Sequence, residues 1–151
     1  MIRSLLAKLT QPAPDPFDDA DARLAIAALL VRLARSDHQY ETAETDAITH
    51  ILSQRYGLSQ DDAIELRREA ELLEEAAPDT VRFTNTVKEA VPLEDRLSVV
   101  EAAWSVVLAD GTRSVEEDAL MRMIPRFLGI TDLENNHARL RAAELIEADR
   151  A

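Results

Sequence analysis

The chain has 151 residues, no cysteine and a formal charge of −12, from 17 Lys and Arg against 29 Asp and Glu. That length is one domain, which buries roughly 68–70% of its unfolded surface without staples. The acidity leaves little to release phosphate counterions or to meet an anionic membrane, and the missing cysteines remove disulfides, thiolate metal sites and cysteine nucleophiles together.

Met1 to Leu9 (MIRSLLAKL) sets apolar residues at helical spacing but is too short and interrupted for a signal peptide or a membrane span. A short amphipathic arm is expected there, compatible with weak peripheral membrane association through residues 1–9. Pro12, Pro14 and Pro16 follow on alternate positions. Each fixes its own φ and pushes its predecessor out of the α region, so an extended linker is expected. The expected organisation is an arm and Pro-rich linker over residues 1–18 and a helical domain over 19–151. With neither leader nor span in evidence, a cytoplasmic location is expected.

Beyond the linker, helix formers keep a 3.6-residue spacing and no strand-like alternation persists, so the fold class is all-α. Helices are expected at Asp19–Ser36, Ala43–Arg55, Ser59–Ala76, Thr80–Val91, Leu93–Leu108, Val115–Leu128 and Asp132–Ala148. Ser59 and Thr131 suit N-caps, because a side-chain oxygen there accepts an orphan backbone N–H. Gly57 and Gly129 suit left-handed helix stops. Pro125 removes one helical hydrogen bond and is expected to kink or break the sixth helix. Leu24–Ala34 and Leu97–Ala109 are apolar around most of the helix circumference and should be central, with the lone Trp104 as a core anchor.

The same two segments lead into matching sequences, LARSDHQYETAETDAI from Leu33 and VVLADGTRSVEEDALM from Val106. Asp37 and Asp110 lie 73 positions apart, as do Glu44 and Glu117, and Tyr56-Gly57-Leu58-Ser59 answers Leu128-Gly129-Ile130-Thr131. A duplicated helix–turn–helix implies one compact bundle of about seven helices built from two pseudo-symmetric halves. Each repeat puts an Asp at the end of a buried helix and a Glu early in the next. If the turns meet, Asp37, Glu44, Asp110 and Glu117 gather, with Glu41 and Glu116 in a second tier. A hard divalent cation relieves such crowded negative charge. A plainer reading stands beside it: Ser114-Val115-Glu116-Glu117 is a capping box, and Asp110-Gly111 is an ordinary turn dipeptide.

Other chemistries lack their residues. The turn has neither the ligand positions nor the late Glu of an EF-hand. His38, His50 and His137 have no zinc-ligand spacing; His38 should sit in an exposed turn and His50 on a helix surface. Neither a serine-nucleophile elbow nor a P-loop is present, and Lys8 and Lys88 are the only lysines. The acidic run Glu69–Glu75 reads as a solvated helix face. No enzyme is expected.

Ala102–Ile130 (AAWSVVLADGTRSVEEDALMRMIPRFLGI) and its counterpart Ala27–Leu58 resemble the bacterial TerB family, named for tellurite resistance, as a stand-alone member. The likeness runs from about Ala20 to Ile130. It implies an all-helical, non-catalytic module in two pseudo-symmetric halves, linked to metal binding and to stress or tellurite resistance. The acidic positions it implies are Asp37, Glu44, Asp110 and Glu117. Here Ser36 and His38 stand where Ala and often Gly are usual, and Glu41 replaces Ser, which puts the backbone of the first turn in question. The expected cofactor is Ca²⁺, Mg²⁺ or Mn²⁺, since every candidate ligand is oxygen. The alternative is a metal-free scaffold that binds a protein partner or forms a homo-oligomer. Nucleic acid and an integral membrane segment are not expected.

Overall fold

The computed structural model describes residues 5–6, 19–76, 80–109 and 113–150. Pro12, Pro14 and Pro16, and with them the expected linker, lie outside the described residues. The described chain forms seven helices: α1 (Asp19–Arg35), α2 (Thr42–Tyr56), α3 (Gln60–Ala76), α4 (Thr80–Ala90), α5 (Leu93–Val107), α6 (Val115–Phe127) and α7 (Asp132–Arg150). No strand occurs among the described residues. The all-α expectation holds, and the helix ends fall within two residues of those expected.

Helix α1 is the hub. It packs chiefly on α3 and α4 and also meets α2, α5 and α6. Its composition explains the position: Leu24, Leu29, Leu30 and Leu33 are buried on several sides at once, and Ala25, Ala27 and Ala28 let neighbouring helices approach closely. Helix α5 is the second central element, packed mainly against α7 and also against α1 and α2. Trp104 is 4% exposed on α5 and anchors the core as expected. Ahead of the helical domain, Leu5 is fully buried in this same core and Leu6 packs against it.

The local stop and start signals behave as their chemistry requires. Gly57 takes φ 63° and Gly129 φ 79°, the left-handed region that glycine enters without a Cβ clash. The N–H groups of Gly57 and Leu58 both donate to the Ser53 carbonyl, closing α2. Ser59 Oγ accepts the Asp62 N–H at 3.2 Å, and Thr131 Oγ1 accepts the Glu134 N–H at 3.1 Å.

One expectation is narrowed and another corrected. Helix α6 is not broken at Pro125 but runs on to Phe127. Proline there withdraws a donor from the Met121 carbonyl. Asn135 of α7 replaces it, donating Nδ2 to that carbonyl at 3.0 Å while its Oδ1 accepts Trp104 Nε1 at 2.8 Å. One amide side chain thus repairs the helix and satisfies the core indole.

The acidic run on α3 is not simply a solvated face. Glu71 and Glu74 turn inward, with side chains 20% and 14% exposed. Glu74 meets Arg32 Nε at 3.1 Å and Arg35 Nη1 at 2.9 Å, and Glu71 accepts the Tyr40 hydroxyl at 2.5 Å. Arg32 and Arg35 also donate to the backbone carbonyls of Glu74 and Glu71. This charged seam ties α1 to α3. Burial, then the Glu71 hydrogen bond, pushes the Tyr40 hydroxyl far above its usual pKa.

Candidate site at the acidic turns

The first turn begins where α1 stops. The Ser36 N–H and hydroxyl both fold back on the Leu33 carbonyl, and the His38 N–H reaches the Arg35 carbonyl at 2.9 Å. Half-buried Asp37 accepts the Gln39 N–H on Oδ1 at 3.0 Å, the self-made turn that Asp favours. His38 is exposed and takes φ 63°, a left-handed conformation uncommon outside glycine and asparagine.

Helix α2 then starts from exposed Glu41, the N-cap, at φ −93° and ψ 167°. Glu44, at the third helical position, is only 3% exposed, and its Oε1 accepts the Glu41 N–H at a long 3.5 Å. The second turn leads into α6 from Ser114, whose φ −98° and ψ 161° nearly match Glu41. Replacing Ser by Glu at the first cap therefore leaves its backbone shape intact. Ser114 Oγ accepts the Glu117 N–H at 3.0 Å, and Glu117 Oε1 accepts the Ser114 N–H at 3.2 Å. Glu117 is 4% exposed, while Glu116 faces solvent.

Glu44 and Glu117 thus occupy equivalent places in the two repeats, each buried and each bonded back to its own N-cap. Both turns also carry a cation: the Arg35 guanidinium lies 4.8 Å from the Tyr40 ring centre, and that of Arg113 lies 5.2 Å from the Trp104 ring. Arg113 pairs with Asp118 at 2.8 Å. Asp110 lies outside the described residues. Among the described residues, no three His, Asp or Glu side chains converge as a metal ion requires.

His50 is exposed on α2, as expected, beside a groove of about 460 Å³ that α2, α5 and α7 form with Asp46, Gln54, Ser105 and Leu145. Sequence reasoning missed the part of Asn135, and that of Glu71 and Glu74; their partners lie 14 to 42 positions away, beyond the reach of any local motif.

The architecture defines an all-helical module whose acidic turns carry buried capping glutamates. The chain matches the family model described as tellurite resistance protein TerB over residues 23–140, and it belongs to the TerB family. No curated protein and no solved structure matches it. No helix among the described residues is long and apolar enough to cross a membrane.

Proposed function

We propose that this TerB-family chain is a non-catalytic module that takes up a hard divalent cation, Ca²⁺, Mg²⁺ or Mn²⁺, in a stress or tellurite-resistance response. Asp37, Glu44, Asp110 and Glu117 are the ligands, with Glu41 and Glu116 as outer contributors. The observation behind it is the repeated placement of a nearly buried carboxylate, Glu44 and Glu117, at the start of the helix after each acidic turn. Where the two turns approach, a cation offsets the repulsion between these groups and Asp37. The test is thermal unfolding of metal-stripped protein with each ion added at fixed ionic strength. An ion at 100 times its dissociation constant adds about 2.7 kcal/mol, several degrees for a chain of this size. A selective shift that disappears in Asp37→Asn/Asp110→Asn is the expected result. No shift from any ion overturns the proposal and leaves the glutamates as helix caps.

A second reading, a metal-free adaptor, is favoured by one feature of α6. Val115, Ala119, Met123 and Phe127 form an outward stripe, with Val115 79% and Phe127 41% exposed, beside Arg122 and Arg126. If the stripe mediates self-association, light scattering detects a dimer that Phe127→Glu dissociates. A monomer at all concentrations removes that version.

A further inference from the structure

At the end of the α1–α2 hairpin away from the acidic turn, the Tyr56 ring is held by two arginines. The Arg23 guanidinium lies 4.4 Å from the ring centre and that of Arg55 lies 5.8 Å away. The Tyr56 hydroxyl is buried beside the Arg55 guanidinium and meets no other polar partner among the described residues. Burial raises its pKa, against the opposing pull of Arg55, so it stays a neutral donor.

Arg32, Arg35, Arg67, Arg113, Arg126 and Arg141 each face a carboxylate, whereas Arg23 and Arg55, like Arg68, Arg96, Arg122 and Arg139, form no ion pair with a described residue. Arg55 Nη1 donates to Ser98 Oγ at 3.0 Å. What sets Arg23 and Arg55 apart is that both lie against one ring, that of Tyr56.

Both arginines and Tyr56 line one cavity of about 520 Å³ between α1, α2 and the α4–α5 junction. Its wall also carries Ile26 and Val91, which are apolar, while exposed Asp19 and Asp95 stand at its rim. The cavity therefore sets the guanidiniums of Arg23 and Arg55 beside a narrow apolar strip and two aspartates, within the size range of small-molecule sites.

We propose that this cavity binds a small organic carboxylate with a hydrocarbon body. The planar two-oxygen head matches the guanidinium fork of Arg23 and Arg55, and the body covers Ile26 and Val91. Inorganic phosphate is disfavoured, because it gains nothing from the apolar wall and its second charge is repelled by Asp19 and Asp95. The same two aspartates suit an ammonium group, so the carboxylate belongs either to a plain acid or to an α-amino acid. The site is independent of the acidic turns. Fourteen residues of helix and turn separate Arg23 from Asp37, roughly 20 Å at 1.5 Å per residue.

The test is NMR titration of the full chain at fixed ionic strength with hexanoate, norleucine, inorganic phosphate and hexylammonium. Hexanoate or norleucine should shift the Arg23, Arg55 and Tyr56 resonances and saturate at or below roughly 1 mM, a binding energy modest enough for one ion pair and a short chain. Norleucine binding more tightly identifies an amino acid and hexanoate a plain acid; either outcome supports the site. Arg23→Gln and Arg55→Gln should each weaken binding about tenfold or more. Arg55→Lys, which keeps the charge and the fold but loses the fork, should also weaken it. Equal binding of phosphate or hexylammonium, no saturable shift from either carboxylate, or unchanged affinity in Arg55→Lys overturns the proposal.

Discussion

His38 holds the first acidic turn in a left-handed conformation, φ 63°, where its repeat counterpart in the sequence is Gly111. For a residue with a Cβ that conformation costs about 1–2 kcal/mol. Glycine removes the clash and returns about 0.5–1 kcal/mol of it as extra freedom in the unfolded chain. His38→Gly should therefore stabilise by about 0.5–1 kcal/mol, read as a higher urea midpoint at unchanged slope. His38→Val should lower the midpoint, because a β-branched side chain fits that region worst. A fall in both variants would show that the imidazole makes a contact worth more than the strain. Glu134 offers a second test at this scale. The Thr131 backbone N–H, then the Thr131 hydroxyl, holds its carboxyl below the usual 4.5. A depressed folded pKa gives a contribution present above 4.5 and lost as pH falls through the folded value. In Thr131→Val the NMR titration of Glu134 should move back toward 4.5, and an unmoved midpoint would assign the depression to the backbone donor alone.

Pro125 and Asn135 act as a unit across two elements. Asn135→Ala leaves the Trp104 indole N–H and the Met121 carbonyl without partners, at about 1–3 kcal/mol for each buried orphan. In a Pro125→Ala background the new N–H of residue 125 can close on the Met121 carbonyl, so Asn135→Ala should cost about 1 kcal/mol less there. Additive costs in the double-mutant cycle would show that the proline-freed carbonyl is not what couples them. This pair also marks how far the sequence could be read. Caps and stops at Ser59, Thr131, Gly57, Gly129 and Ser114 were legible because donor and acceptor lie within a few residues of each other. Glu44 and Glu117 were legible as a repeat for the same reason. The repair of α6 was not, because its donor sits on the next helix. The inward turn of Glu71 and Glu74 depends on arginines of α1 that only the packing of α1 on α3 brings near. Whether carboxylates of two separate turns share one place is likewise set by helix packing, which periodicity leaves open. The meeting of Arg23 and Arg55 on the Tyr56 ring had no sequence signal at all.

At the scale of the whole molecule, a charge of −12 on a single small domain means that folding gathers like charges. The inward-facing pairs of Arg32 and Arg35 with Glu74 are partly shielded from solvent and so are little weakened by salt. The excess acidic groups on the surface are screened far more strongly as salt rises, because the Debye length shrinks from about 30 Å at 0.01 M to about 8 Å at 0.15 M. Stability should therefore rise with NaCl over that range, by a few degrees in the unfolding midpoint. A midpoint that falls instead would mean that exposed pairs such as Arg126–Asp132 outweigh the repulsion. Matching the ionic strength with MgCl₂ or CaCl₂ then separates general screening from a site. Equal midpoints assign the whole effect to screening. An additional rise with one divalent ion alone, abolished by Asp37→Asn/Asp110→Asn, requires that ion to be held at the acidic turns, since two neutralised side chains out of 29 acidic groups barely change the general field.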